Sequence, residues 1–250
     1  GVLSGKLATP ADISVGEPVP ARRDYLTSQF GVNADADNLK TASGSDLVVL
    51  AVKPQDLGGV MGQLKGNLNA DQAALSIVAG AKMETLSNGL GHDSVVRVMP
   101  NTPAQIGAGM TLWTCSDGVG DGSKELIKSV LGTIGQEIYV SDEKYMDMAT
   151  ALSASGPAYI FLFIEAMIDA GVYVGMPRDM ARTLALQTMY GSTKLVMETG
   201  MHPAELKDMV VSPGGTTAEA MRVLEDQGVP AAIVSAIDAA YKKSIQLGKG

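Results

Sequence analysis

The apolar positions of the chain follow two different patterns, which meet near residue 141. In the first part, short apolar runs rich in β-branched residues alternate with stretches of helical spacing. The predicted strands are Asp12–Val15, Asp46–Val52, Ala74–Ala79, Ser94–Met99, Met110–Cys115 and Glu137–Val140. Alternation of apolar strands with crossover helices predicts an α/β unit with a doubly wound, mostly parallel sheet, covered on both faces. The last two strands flank one predicted helix, 123–134, and should extend one edge of the sheet.

Residues 142–250 show helical spacing throughout and lack the strand pattern. The predicted breaks between helices lie at Gly156-Pro157, Gly175, Gly200 and Pro213–Gly215. The segment Ile160–Ile164 is apolar on every side, which predicts a helix that is buried all round. A helical half this apolar often packs against a second copy of the chain, so we expect a homodimer. The predicted domains are 1–141, an α/β ligand-binding domain, and 142–250, a helical dimerisation domain.

Composition and charge exclude several classes of protein. The sequence contains no uninterrupted apolar run of about 18 residues, so no membrane span is predicted. Its net charge of -8 and pI of about 4.8 argue against nucleic-acid binding, which needs a basic surface. Cys115 is the single cysteine, so neither a disulfide nor a thiolate metal cluster is predicted, and its thiol is expected to be buried and inert. No metal is expected. The chain also opens without a basic stretch before an apolar one, so we expect a soluble cytoplasmic protein.

A doubly wound sheet binds its ligands at the carboxyl ends of its strands. The dinucleotide signature G-x-G-x-x-G, between a first strand and a helix, does not occur here. The opening stretch "GVLSGKLATPADISV" instead has the pattern of a helix end, a loop and a strand. We therefore expect a preceding strand and Gly-rich turn, roughly 15 to 20 residues long, to be missing from this sequence.

Two turns at the predicted ligand edge carry charged residues. In "GEPVPARRDYL", an acidic side chain suits the free 2′-hydroxyl of an adenosine ribose, whereas arginine suits a 2′-phosphate. Glu17 therefore points to one cofactor and Arg22-Arg23 to the other, and a solvated helix start is an equally open alternative. In "LAVKPQ", Lys53 follows a strand at the ligand edge, although strand-Lys-Pro also serves simply to start a helix.

The loop "RVMPNTPAQIGAGMT" has prolines on both sides of Asn101 and Thr102, just beyond a strand. Proline fixes φ and so makes a loop rigid, which suits a flat ring that must be held against the backbone. An ordinary connecting loop is the alternative.

The stretch "SPGGTT" joins an apolar helical run to the start of another helix. Gly214 and Gly215 lack a Cβ, so their backbone can adopt positive φ and approach a ligand closely. The first N–H groups of a helix that begins at Thr216 would lack helical partners, and the helix dipole would favour a small carboxylate there. A helix start capped by Ser or Thr is the alternative.

Four blocks in order and at matching spacing resemble the pyrroline-5-carboxylate reductase family, which reduces 1-pyrroline-5-carboxylate to proline with NAD(P)H. These blocks are "LAVKPQ", "RVMPNTPAQIGAGMT", "SASGPAYIFLFIEAMIDAGVYVGMPRDMA" and "LKDMVVSPGGTTAEAMRVLE". The resemblance extends from about residue 1 to residue 247. It implies a Rossmann-like dinucleotide-binding domain over 1–141 and a helical dimerisation and substrate domain over 142–250. The family dimerises through interlocking helices, and in several members the dimers assemble into rings.

The resemblance also implies site residues. NADPH is the expected cofactor, with NADH as an alternative, and its expected contacts are Pro18, Asn38, Ala51, Val52, Lys53, Pro54, Val78 and Ala79, beside Asn101 and Thr102. The expected substrate contacts are Glu143, Ser212, Gly214, Gly215, Thr216 and Thr217. Ser155 is expected where nicotinamide and substrate meet. Thr217 and Ser155 are therefore the expected catalytic residues, with the Thr217 hydroxyl on the ring nitrogen.

The sequence departs from the family pattern at two small residues and leaves other functions open. Gly16 stands where many members have serine, which leaves the NADP preference open, and Ala154 stands in "ASGPAY" for a common glycine. A non-catalytic helical-dimer scaffold is one alternative function. A β-hydroxyacid dehydrogenase is another, although its lysine and asparagine are absent from "LSASGPAYIFLFIEAM". Other cyclic imines, such as a six-membered homologue, are alternative substrates.

Overall fold

The computed structural model describes residues 1–248, which form two compact units. One unit comprises Gly1–Ser155 together with the segment from Ala240 onward, and the other comprises Gly156–Ala239. The boundary after residue 141 stays a prediction about the functional domains. Residues 249 and 250 of the predicted second domain lie outside the described residues.

The first unit contains seven strands among the described residues, arranged in two sheets. The smaller sheet is a parallel pair, β1 (Ser14–Gly16) and β2 (Asn33–Asp35). The larger sheet contains, in chain order, β3 (Leu47–Leu50), β4 (Ala73–Ser76), β5 (Val95–Met99), β6 (Gly109–Cys115) and β7 (Gly135–Tyr139). β3, β4 and β5 are parallel, β6 runs antiparallel to β5, and β7 is parallel to β6. The mostly parallel sheet and its extended edge are confirmed.

Helices pack against both faces of the larger sheet. The helices that begin in the first unit are α1 (Pro20–Phe30), α2 (Asn38–Ala42), α3 (Pro54–Leu64), α4 (Met83–Leu90), α5 (Asp121–Gly132) and α6 (Lys144–Ala149), of which α1 contacts β2 of the smaller sheet. Ala74 and Val95 belong to one buried cluster, whereas the next residues along their strands, Leu75 and Val96, belong to another. Successive side chains of a strand point to opposite faces, so these two clusters are the two cores on either side of the sheet.

The second unit is entirely helical. It contains α7 (Gly156–Tyr173), α8 (Arg178–Thr199), α9 (Pro203–Val210), α10 (Thr216–Asp226) and the first part of α11 (Val229–Leu247). Among residues 156–239, all of which are described, only Ala181 and Ala185 are buried. Phe161 is 58% exposed and Leu162 is 63% exposed. The prediction of a helix buried all round is therefore wrong for the single chain, because its own helices do not cover α7.

One helical stretch, Lys144–Tyr173, is long and apolar enough by length and composition to cross a membrane. The sequence predicted no such span, because charged and small residues interrupt its longest apolar runs. The most apolar window of this stretch is only 6% buried. An apolar helix left this exposed in one chain is also what an interface with a second copy requires.

Candidate active site

Three predicted cofactor segments lie along one edge of the larger sheet. Ala51–Pro54 follows β3, Val78-Ala79 follows β4, and Asn101-Thr102 follows β5. Because β3, β4 and β5 are parallel neighbours, their carboxyl ends and these three segments lie side by side. This edge is where doubly wound sheets bind ligands. The structure thus brings the three segments together.

The Asn38 side chain, at the start of α2, lies against the turn that follows β1. A Cβ on Gly16, the last residue of β1, would collide with the Asn38 Oδ1 atom. Asn38 also donates from Nδ2 to Gln63 Oε1 over 2.8 Å, which fixes its side chain beside the turn. A serine at position 16 would displace Asn38. Gly16, the residue at which the sequence departs from the family pattern, therefore leaves the space that the Asn38 side chain occupies.

The structure places the acidic residue Glu17 and the basic residues Arg22 and Arg23 at this same turn. Glu17 accepts a hydrogen bond at Oε1 from a backbone N–H of the same turn, over 2.8 Å. Arg23 donates from Nη1 to the carbonyls of Glu17 and Pro18, over 2.7 and 2.9 Å. The Arg22 guanidinium lies over the Tyr25 ring, 4.7 Å from its centroid. Glu17 and Arg23 thus stiffen the turn, and Arg22 leaves a positive charge beside it.

An uncapped helix start also lies at this edge. At the start of α3, Pro54 follows the Lys53 N-cap, and within the described chain no side chain caps the helix there. Uncapped helix starts at a sheet edge suit anionic phosphate groups. At the end of β2, a hydrogen bond from Lys40 lowers the pKa of Asp35. The Asp35 carboxylate is therefore ionised near neutral pH and forms an ion pair with Lys40.

Asn101 links the loop after β5 to the segment before Ser155. Its Oδ1 accepts from the Met110 backbone N–H over 2.9 Å, and its Nδ2 lies 3.4 Å from both the carbonyl and the hydroxyl oxygen of Ser153. Ser153 belongs to a single π-helical turn, Thr150–Ala154, that continues α6. Such turns occur often at functional sites. Asn101 and Ser155, predicted from separate motifs, are therefore close in space.

Glu143 lies immediately before α6, and its carboxylate is already engaged. Glu143 Oε1 accepts from Arg97 Nη1 and from the Met83 backbone N–H, each over 2.9 Å. Arg97 is a residue that the sequence reasoning missed. The signal was present in the sequence, because a charged residue inside the apolar run of β5 requires buried partners.

The turn before α10 lies in the second unit. As predicted, α10 begins at Thr216, and Gly214 adopts a left-handed conformation with φ +67°. The Gly215 N–H donates to the Ser212 carbonyl over 3.0 Å, which closes the turn. Gly215 is the N-cap residue, and in the described chain no side chain caps this helix. The first N–H groups of α10, including that of Thr217, are thus available to an acceptor.

Each of the two histidine side chains forms a hydrogen bond with the backbone. His92 donates from Nε2 to the Gln72 carbonyl over 2.7 Å, and His202 accepts at Nδ1 from the Ala204 N–H over 3.2 Å. No group of three or more His, Cys, Asp or Glu side chains suited to a metal ion occurs within residues 1–248.

Comparison with known families assigns both parts of the chain. The family described as pyrroline-5-carboxylate reductase dimerisation matches residues 143–247, and the family described as NADP oxidoreductase, coenzyme F420-dependent, matches residues 1–80. The first match contains the exposed apolar helix α7. It supports a homodimer and explains why α7 is uncovered in one chain.

Similar proteins are found across nearly the whole length. A pyrroline-5-carboxylate reductase of Synechocystis sp. is 43% identical, covering 99% of this chain and 92% of the relative. The enzyme of Escherichia coli is 41% identical, covering 100% and 93%. A solved Coxiella burnetii pyrroline-5-carboxylate reductase superposes with a TM-score of 0.90 at 34% identity, covering 100% of this chain and 94% of that one.

A Plasmodium falciparum pyrroline carboxylate reductase, solved with NADP bound, has a TM-score of 0.83 at 35% identity, covering 88% of this chain and 84% of that one. The identity, the coverage and the two family matches agree with one another. The chain belongs to the pyrroline-5-carboxylate reductase family.

Proposed function

We propose that this protein reduces 1-pyrroline-5-carboxylate to L-proline, the last step of proline biosynthesis, with NADPH as hydride donor and NADH as an alternative. The turn Ser212–Thr217 is the observation that carries the proposal. In a chain of this family, it places an uncapped helix start directly after two glycines. That arrangement suits the carboxylate of a small cyclic imine.

The substrate carboxylate is proposed to bind at the start of α10. The Thr216 and Thr217 N–H groups donate to it, and the helix dipole adds to their attraction. Gly214 supplies the left-handed turn that brings these amides to the ligand, and Gly215 and the Ser212 hydroxyl line the same turn. Such a site needs no cationic side chain.

The reduction needs little acid catalysis, because the substrate imine accepts a proton readily. The reduced nicotinamide supplies the hydride, which adds to the carbon of the protonated C=N bond and leaves a neutral ring nitrogen. The Thr217 hydroxyl is proposed to hydrogen-bond that nitrogen and fix the ring. Catalysis by this chain is then mainly the orientation of two rings.

The nicotinamide cofactor is proposed to lie along the carboxyl edge of the first unit. Its adenosine end contacts Pro18 and Asn38, and the segments Ala51–Pro54 and Val78-Ala79 line its path. The nicotinamide end is held by Asn101 and Thr102, with Ser155 as the catalytic residue of this unit. A substrate contact by Glu143 stays a prediction, and Arg97 contacts its Oε1 atom.

The assembly and location are proposed as follows. The homodimer is the basic unit, and rings of such dimers are the larger assembly that the family suggests. The protein is proposed to act in the cytoplasm, away from membranes and nucleic acids, in keeping with its acidic pI of about 4.8.

The test is a spectrophotometric assay of the purified full-length protein with 1-pyrroline-5-carboxylate and either NADPH or NADH. We expect oxidation of the reduced nicotinamide and stoichiometric formation of proline, with the six-membered imine as a comparison substrate. A β-hydroxy acid with NAD serves as the control for the rival dehydrogenase activity. If neither nicotinamide is oxidised, the protein is instead a helical-dimer scaffold.

A further inference from the structure

Arg97 carries a positive charge into the middle of the larger sheet. It lies in β5, all five residues of which are buried, and Arg97 itself is 2% exposed. A guanidinium group does not lose its proton in a protein, so its burial requires carboxylate partners. Its Nη1 lies 2.9 Å from Glu143 Oε1, and its Nη2 lies 3.3 Å from Asp147 Oδ1.

Each carboxylate in this cluster, Arg97–Glu143–Asp147, also holds another segment. Glu143 Oε1 accepts from the Met83 N–H at the start of α4, over 2.9 Å. Asp147 Oδ1 accepts from the Ser244 hydroxyl near the end of α11, over 2.8 Å. The cluster thus ties together β5, α4, α6 and α11 at a single buried charge.

The tied segments lead directly to the proposed nicotinamide end. β5 continues through Pro100 to Asn101, and α6 continues through the π-helical turn to Ser155. Asn101 touches that turn at Ser153, although only over 3.4 Å. Contacts this long leave the relative position of the loop and the turn to stronger interactions nearby. The charged cluster joins β5 to α6 through charge-assisted contacts of 2.9 and 3.3 Å.

We infer that Arg97, Glu143 and Asp147 are positioning residues for hydride transfer, which set the Asn101 loop against Ser155. This inference rests on the proposed reductase activity. The fork of the guanidinium fixes two carboxylates one helical turn apart, which sets the rotation of α6 as well as its distance from β5. Misplacing reacting groups by about 1 Å can lower a rate about 100-fold.

The two roles open to Glu143 predict different kinetics. We would test Glu143→Gln and Asp147→Asn, which keep the shape of the side chain and remove its charge. If these residues position the nicotinamide end, kcat falls about 10- to 100-fold, because orientation is lost in the transition state. The KM for 1-pyrroline-5-carboxylate and the dissociation constant of L-proline, measured by calorimetry without turnover, stay within about threefold of wild type.

A second measurement separates positioning from loss of folded protein. NADPH deuterated at nicotinamide C4 should give the variants the full primary isotope effect of a rate-limiting hydride transfer. A smaller folded fraction would lower kcat but leave the isotope effect at its wild-type value. Arg97→Lys, which keeps the charge but loses the fork, should show the same signature as Glu143→Gln. The carboxylate variants keep the test valid if Arg97→Lys does not fold.

The matched control is Lys124→Gln, which removes an exposed ion pair with Asp121 on α5, and it should leave every parameter unchanged. Glu143→Gln with wild-type kcat and weakened proline binding would overturn the inference and make Glu143 a substrate contact. Wild-type values of kcat and isotope effect in Glu143→Gln and Asp147→Asn would also overturn it. A wild-type protein without reductase activity would instead refute the proposed function itself.

Discussion

The proposed carboxylate site at the turn before α10 can be tested by comparing alanine substitutions at two glycines. Gly214 and Gly200 both adopt left-handed conformations, with φ +67° and +64°, and a Cβ at either would meet nothing within 4 Å. Gly200 ends α8 and is not among the proposed substrate contacts. Alanine at either position therefore introduces the same backbone strain without a collision, and only Gly214→Ala changes the proposed carboxylate site.

The magnitudes follow from the backbone conformation. An alanine in the left-handed conformation destabilises the folded state by about 1–2 kcal/mol. Alanine also lowers the conformational entropy of the unfolded chain, which offsets about 0.4–1 kcal/mol of that loss. We expect both variants to lose about 1 kcal/mol of unfolding free energy, which lowers the Tm by roughly 2–4 °C for a chain of this length. At Gly214, relief of the strain also turns the N–H groups of α10 away from the ligand. Loss of a partly buried anion at a helix start costs up to about 2 kcal/mol.

The binding assay separates the two effects. A loss of about 2 kcal/mol weakens binding about 30-fold, so Gly214→Ala should raise the KM for 1-pyrroline-5-carboxylate and the dissociation constant of L-proline by about 10- to 30-fold. Gly200→Ala should match it in the thermal melt and keep wild-type affinity. Equal affinities in the two variants would refute the assignment of the carboxylate to the start of α10.

Three further predictions concern single side chains. Thr217→Ala should lower kcat/KM at least about 10-fold, because a hydrogen bond to a charged group contributes about 1.5–3 kcal/mol, and Thr217→Ser should restore most of the activity. An unchanged kcat/KM in Thr217→Ala would argue against the contact with the ring nitrogen. Cys115 is only half-buried, so the expected burial is incomplete, but desolvation still raises the pKa of Cys115 above its usual value and its thiol stays protonated at pH 7.5. Alkylation by iodoacetamide should be slower than for free cysteine and should accelerate in urea; equal native and unfolded rates would contradict this. Phe161→Glu should shift the solution mass from dimer towards monomer while Lys124→Gln stays dimeric, and a fully dimeric Phe161→Glu would place the interface elsewhere.

The strands of the larger sheet could be predicted from the sequence because most of them are short runs rich in apolar or β-branched residues. β2 was missed for the opposite reason. Its residues are Asn33, Ala34 and Asp35, and only its pairing with β1 makes it a strand. A three-residue polar strand has no local signal, since its hydrogen bonds go to a segment distant in sequence.

The helix start at Thr216 could be predicted because glycine, proline and threonine determine local backbone geometry. Contacts between distant segments could not be predicted in the same way. The Arg97 cluster joins residues 46 and 50 positions apart, and the pairing is visible only once β5 and α6 are packed. The buried state predicted for α7 failed for a related reason, because the single chain does not supply a surface that covers this helix.

The chemistry of the proposed site explains why its residues are so small. A protonated cyclic imine carries one positive and one negative charge, and hydride addition removes the positive one. No negative charge develops in the transition state, so a cationic side chain or a metal ion would add nothing to the reaction rate. The carboxylate alone keeps its charge throughout, and a helix start with free N–H groups matches it in ground state and transition state alike. Rate enhancement must then come from the relative placement of the two rings. The charged residues that matter most for turnover are therefore expected away from the substrate, at positions such as Arg97 that hold the surrounding segments in place.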